Sequence, residues 1–241
     1  MNFQLMWESV PSLLGGLVLT LELVLLSLLL GFFVAIGIAL MRLSPYRLLS
    51  AFAYTYVFVF RGTPLLVQIF LIYYGLGQFE AIRDSFLWTF FREPFWCAIL
   101  AFTLNTGAYT SELIRGGIQS VPWGQIEAAR ACGMSRVRMF RRIVFPIAIR
   151  QALPAYGNEV ILMVKASSLA STITLMEVTG IARDIISTTY AVVDIFILAG
   201  AIYLTINFLL TRALGYVEWR LSPHLRGAPQ PVLAPTGIEA H

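Results

Sequence analysis

Apolar residues along this chain fall into five long runs, separated by short segments in which arginine, proline, glycine and acidic residues gather. The first runs from about Ser12 to Leu40, interrupted only by Glu22, and stops at Arg42 before a Ser44-Pro45 turn. The others cover about 51–76, 95–114, 154–176 and 192–214. Each is long enough for the ~20 residues with which an α-helix crosses the hydrocarbon core of a bilayer. The pattern predicts an all-α, polytopic membrane protein with five transmembrane helices. The first ten residues hold Glu8 and no basic residue, and the run behind them is too long for a signal-peptide core, so the N-terminal segment is expected to stay in the membrane.

Composition agrees. Hydrophobic residues make up 58% of the 241 positions and charged residues 12%, against roughly a quarter charged in a soluble domain; mean hydropathy is +0.77. A water-facing surface cannot be built from so few charges. The net charge of +4 comes from arginines and a single lysine, Lys165. Placing the N-terminus outside puts Arg42, Arg47, Arg115, Arg130, Arg136, Arg138, Arg141, Arg142, Arg150, Arg212, Arg220 and Arg226 inside, and only Arg83, Arg92 and Arg183 outside. That bias predicts a periplasmic N-terminus and a cytoplasmic C-terminus, and explains the basic balance without nucleic acid. Cys97 and Cys132 have neither disulfide nor metal-ligand spacing and read as structural thiols.

Residues 1–220 are expected to form one transmembrane domain and 221–241 a disordered cytoplasmic tail, because the last twenty residues carry four prolines and no apolar period. Both histidines, His224 and His241, lie in that tail, which leaves none for an intramembrane catalytic centre. No phosphate-binding Gly-Lys-Ser/Thr loop surrounds Lys165. An enzyme is therefore not expected, nor any cofactor in this chain.

The segment between the third and fourth runs, the loop 120–150, is the most informative. Pro122 suits the first turn of a helix and Gly133 its C-terminal stop, with Glu127, Ala128 and Ala129 between them. A second short helix is expected from Ser135, carrying Arg136, Arg138, Arg141 and Arg142, both lying along the membrane surface. Small alanines allow close approach of a partner and Glu127 offers one directed charge. A solvated basic loop kept only for orientation is the plainer alternative.

The spacing here resembles the EAA signature of ATP-binding-cassette importer permeases: Glu127-Ala128-Ala129, three residues, Gly133, nine residues, then Ile143-Val144-Phe145-Pro146, with Phe145 where the signature has leucine. Phe60-Arg61-Gly62-Thr63-Pro64, Leu104-Asn105-Thr106 through Tyr109-Thr110-Ser111-Glu112, and Leu153-Pro154 through Asn158-Glu159 extend the resemblance over about 12–220, to the polar amino-acid permeases and among them the histidine, arginine, octopine and nopaline types. The resemblance implies a bacterial inner-membrane subunit whose loop helix (Glu127, Ala128, Ala129, Gly133) docks into an ABC ATPase dimer. That dimer would hold ATP and Mg. A second, homologous permease subunit and a periplasmic solute-binding protein would complete the importer, and a polar, cationic amino acid or an opine would be the cargo; a neutral or acidic amino acid is the alternative. A non-conducting membrane anchor or receptor subunit is the alternative of another class.

Charge at bilayer depth is expensive and marks candidate function. Glu159 follows Asn158 and precedes the apolar run Val160-Ile161-Leu162-Met163, so it is the candidate receptor for an ammonium or guanidinium group. Asn105 and Thr106 supply neutral hydrogen-bonding groups, and Tyr109 can stack on a guanidinium. A structural brace from Glu159 to Arg61 or Lys165 is the alternative, as interhelical hydrogen bonding is for Asn105, Thr106 and Tyr109. Arg61 is expected to order the Gly62-Thr63-Pro64 break. Outside, Glu177, Arg183, Asp184, Tyr190 and Asp194 suit a docking face for a solute-binding protein or an ordinary solvated loop.

Overall fold

A computed structural model describes residues 2–221; the proposed tail beyond them, with His224 and His241, lies outside the described residues. The described chain is helical almost throughout. Helix α1 spans Phe3–Arg42, starting nine residues before the expected run because Asn2 caps it, its side-chain oxygen accepting from the Leu5 amide at 3.2 Å. Helices α2 (Arg47–Gly62) and α3 (Leu65–Gly75) divide the run expected over 51–76 at the anticipated Gly62-Thr63-Pro64 break; the chain bends by 103° between them. Pro64 has no amide to donate and disfavours helix at Thr63, whose φ of −115° and ψ of 145° are extended. Two short helices, α4 (Glu80–Arg83) and α5 (Trp88–Phe91), lead into α6 (Pro94–Gln119), which has proline at its start.

The loop 120–150 folds as expected over its first half. Helix α7 is Trp123–Ala131, and α8 (Arg136–Met139) starts at Ser135, whose hydroxyl accepts from the Arg138 amide. The second half departs from expectation. Helix α8 runs through a π-helical turn, Phe140–Val144, directly into α9 (Phe145–Ala166), so the arginine-bearing helix is the lower end of a long one rather than a separate piece. The fourth run accordingly begins before Pro154, which sits inside α9. A 3-10 segment, Ser167–Ile173, and α10 (Val178–Thr189) follow across a 47° bend, and α11 covers Val192–Leu221, seven residues beyond the expected end and one into the segment assigned to the tail.

Helices α1 and α11 are each long and apolar enough to cross a membrane, as are the two bent combinations taken together, α2 with α3 and Arg136–Ile173 with α10. Helix α6 has 26 residues, about 39 Å at 1.5 Å per residue, but carries a buried polar stripe of Thr103, Asn105, Thr106, Thr110 and Ser111. It is the central helix, packed on α1, α3 and α9. Large apolar side chains cover the outside, among them Leu25, Phe33, Leu71, Leu204 and Phe208, a surface suited to lipid rather than water.

Helix directions follow from cross-contacts. Gly31 of α1 meets Thr106 of α6, Val34 meets Gly107, and Arg42 meets Glu112, so α1 and α6 run the same way. Glu159 meets Thr106 while Ala148 lies against Gly117, so α9 runs oppositely to α6. The Asn2 amide donates to Asp194 at 3.0 Å, which sets the start of α11 beside that of α1.

Candidate functional site

The break between α2 and α3 opens a cavity of about 490 Å³, walled by Arg61 to Leu65, by Asn105 and Tyr109 of α6, and by Glu159, Leu162, Met163 and Ala166 of α9. Helical spacing explains the convergence. Asn105 and Tyr109 are four apart and share a face of α6, as do Glu159, Leu162, Met163 and Ala166 on α9. Glu159 is buried, 8% exposed, and its Oε1 accepts from the Thr106 hydroxyl at 3.2 Å. It forms no contact ion pair with Arg61 or Lys165 among the described residues. Lys165 is exposed on α9.

Asn105 is turned to another task. Its side-chain amide donates to Gln68 Oε1 at 3.0 Å and to the Phe60 carbonyl at 3.3 Å. Gln68 Nε2 in turn donates to the Phe60 and Thr63 carbonyls and to the Thr63 hydroxyl, at 2.9, 3.1 and 2.8 Å. These bonds satisfy the carbonyls freed where the helix breaks, which is the condition for irregular backbone at membrane depth. Sequence reasoning missed Gln68. A glutamine four residues after a proline inside an apolar run was the available signal. Tyr109 lies with its ring centre 5.1 Å from the Arg61 guanidinium carbon. Asn158 is exposed and does not line the cavity; of the other candidates Asn105, Tyr109 and Glu159 line it, and Thr106 reaches it only through its bond to Glu159.

A second cavity, about 400 Å³, adjoins the first through Arg61, Gly62 and Tyr109 and continues to Arg42 and Glu112. Glu112 accepts from Arg42 at 3.2 Å and from Arg115 at 2.6 Å, tying the ends of α1 and α6 together. Neither Arg42 nor Glu112 stood out as a pair in the sequence, because 70 positions separate them.

The second candidate surface is α7. Glu127 and Ala128 are exposed, while Ala129 is buried against the body. Gly133 has φ +72°, and the amides of Gly133 and Met134 donate back to the Arg130 and Ala129 carbonyls at 2.9 and 3.0 Å. That pairing is the Schellman end anticipated for this glycine. Trp123 stands 70% exposed at the start of the helix.

Residues 27–223 match the family model described as binding-protein-dependent transport system inner membrane component. The chain belongs to that family. The nopaline transport system permease protein of Agrobacterium fabrum is 60% identical over the whole of both chains. The octopine transport system permease protein of Rhizobium meliloti is 57% identical over 94% of this chain and 93% of its own. The histidine/lysine/arginine/ornithine permease protein of Escherichia coli K12 is 42% identical over 88% and 89%. Among solved structures, an amino acid ABC transporter crystallised with histidines superimposes with a TM-score of 0.83 at 37% identity, over 91% of this chain and 99% of that one. The inward-facing MetNI methionine transporter shares the fold, with a TM-score of 0.72 at 18% identity.

In a permease of this family the segment before α10 is also notable. Glu177 is fully buried, and its carboxylate accepts from the Thr179 and Gly180 amides at 2.9 Å each and from the Tyr203 hydroxyl at 2.6 Å. The residue expected on an outer docking face is thus an interior cap joining α10 to α11. Arg183, Asp184 and Tyr190 are exposed, while Asp194 is half-buried and accepts from the Asn2 amide.

Proposed function

We propose that this chain is the inner-membrane permease subunit of an ABC importer that carries a polar, cationic amino acid or an opine, with Glu159 receiving the cationic end of the cargo in the cavity between α2, α3, α6 and α9. The observation that carries the reading is a buried carboxylate, held by one neutral donor, opening into that cavity. Substrates named for the relatives, nopaline, octopine, and histidine, lysine, arginine and ornithine, support the choice of cargo. Thr106 positions the carboxylate; Asn105 acts indirectly, by holding the helix break open.

Five crossings account for the helix directions: α1, α2 with α3, α6, α9 with its 3-10 extension, and α11, alternating in sense. The arginine bias puts the start of α1 outside and the end of α11 inside. On this arrangement α7 faces the cytoplasm, where Glu127, Ala128 and Ala129 meet a separate ATPase dimer and Gly133 fixes the helix end. That dimer binds ATP and Mg. A second permease chain completes the pore, and a periplasmic solute-binding protein docks on the outer face near α10. The test is ATP-dependent uptake by proteoliposomes holding this chain with its partner permease and ATPase, given labelled arginine and loaded binding protein. Absence of uptake by a fully assembled complex, across cationic amino acids and opines, overturns the reading.

A further inference from the structure

Arg61 lines both cavities, yet joins none of the ion pairs found among the described residues. Its guanidinium carbon sits 5.1 Å from the Tyr109 ring centre. A guanidinium on a ring uses its face; its N–H donors, which lie in its plane, are left for a planar anion and match a carboxylate two bonds at a time. Glu159 lines the same cavity without pairing to it. Two opposite charges that share about 490 Å³ and stay apart leave a dipolar receptor.

A second observation falls at the same wall. Helix α3 starts at Leu65 with no side chain capping it, and Thr63, Pro64 and Leu65 all line the cavity. The first amides of a helix lack intrahelical partners and carry the positive end of its dipole. Half-helix N-termini exposed where a membrane helix breaks are suited to anionic groups of a substrate. At the other side of the break, Gln68 and Asn105 already occupy the Phe60 and Thr63 carbonyls. The break therefore presents positive rather than negative character to the cavity.

We propose that Arg61, together with the first turn of α3, receives the α-carboxylate of the transported amino acid, while the opposite wall takes its cationic end. This rests on the reading of Glu159 given above, and adds to it the requirement for a carboxylate on the cargo. Tyr109 holds the Arg61 guanidinium over the junction of the two cavities, so the anionic end is fixed where the first cavity meets the second.

The test uses the assembled complex in nanodiscs without solute-binding protein, and compares binding of labelled arginine with labelled agmatine, which lacks the carboxylate. The native complex should bind arginine at least about tenfold tighter than agmatine, the ratio that corresponds to ~1.4 kcal/mol. Arg61→Gln should remove that preference by weakening arginine alone, and Arg61→Lys, which keeps charge without the planar fork, should fall between. Unchanged arginine affinity in Arg61→Gln, equal weakening of both ligands, or no arginine binding by the native complex each overturns the proposal. Should Arg61→Gln fail to assemble, Arg61→Lys decides, since a reduced arginine preference is required of it and an unchanged one overturns the proposal. Glu159→Gln, run in parallel, should weaken both ligands. If it leaves both unchanged while Arg61→Gln loses the preference, the assignment of Glu159 fails and the carboxylate receptor stands.

Discussion

The Thr106 hydroxyl donates to Glu159 at 3.2 Å, the one hydrogen bond that reaches this buried carboxylate among the described residues. It joins the middle of α6 to the middle of α9 and leaves the second carboxylate oxygen free for the cavity. A charged pair at ~4 Å is worth about 4 kcal/mol at an effective dielectric near 20, and desolvation offsets much of it. Glu159→Gln keeps size and the bond to Thr106 while removing the charge. Uptake of arginine, normalised to assembled complex, should fall roughly tenfold, as a net loss near 1.4 kcal/mol implies. Neutral citrulline should lose less. Assembly should be unaffected, since Glu159 joins no salt bridge among the described residues that the change would break. Native arginine transport by the variant would exclude Glu159 from the path.

Gly31 controls the same bond from behind. A Cβ there would overlap the Thr106 methyl and lie 3.3 Å from the Thr103 carbonyl oxygen. Small residues at such contacts let membrane helices approach closely. Gly31→Ala should therefore push Thr106 off Glu159 and cost about 1–3 kcal/mol of packing. A lowered melting temperature of the purified complex, together with an uptake defect reproduced by Thr106→Val, is the expected pair of results. Normal uptake in Gly31→Ala would show that the hydroxyl does not position the carboxylate.

Much of this was legible from residues, and the failures share a cause. Gly133 and Ser135 announce local backbone states, and both occur where the pattern puts them. The run over 51–76 shows the Gly62-Thr63-Pro64 break but not its angle: proline stereochemistry turns the chain through 103° there, which hydropathy does not report. Helix α8 looked separate because its arginines change the hydropathy; backbone hydrogen bonding, which hydropathy does not report, carries it straight into α9. Glu177 looked like a surface charge because its partners, two amides and a tyrosine 26 positions away, leave no trace in composition. Asn158 and Glu159 are neighbours in sequence and lie on different faces of one helix, which is why only Glu159 reaches the cavity.

Topology is open to direct test. Single cysteines at Gln4, Thr188 and Gln125, all exposed positions, can be placed in a chain whose Cys97 and Cys132 are replaced. In sealed right-side-out vesicles an impermeant maleimide should label positions 4 and 188 and spare 125. Permeabilisation should then expose 125. Labelling of position 125 from outside would invert the orientation, and protection of 188 would remove α10 from the outer face.

The end of α7 offers the sharpest test of coupling. Gly133 holds φ +72° with open space around the position where a Cβ would stand, so a substitution there is penalised by backbone conformation and not by collision. For a residue with a Cβ that left-handed state costs on the order of 1–2 kcal/mol. Gly133→Val should loosen the Schellman end and let α7 reorient, while the membrane-embedded helices, which make no contact through this glycine, still insert. Gly133→Asn, which tolerates the left-handed state better, should restore most of the loss. Glu127→Lys alters the exposed charge of the same helix without touching its backbone. Two measurements separate the effects: co-purification with the ATPase, and stimulation of its hydrolysis by loaded binding protein. Gly133→Val should lower the second more than the first, because a misdirected helix can still bind without transmitting motion. Glu127→Lys should lower both. Full stimulation and full uptake by the doubly substituted chain would mean that α7 does not carry the coupling.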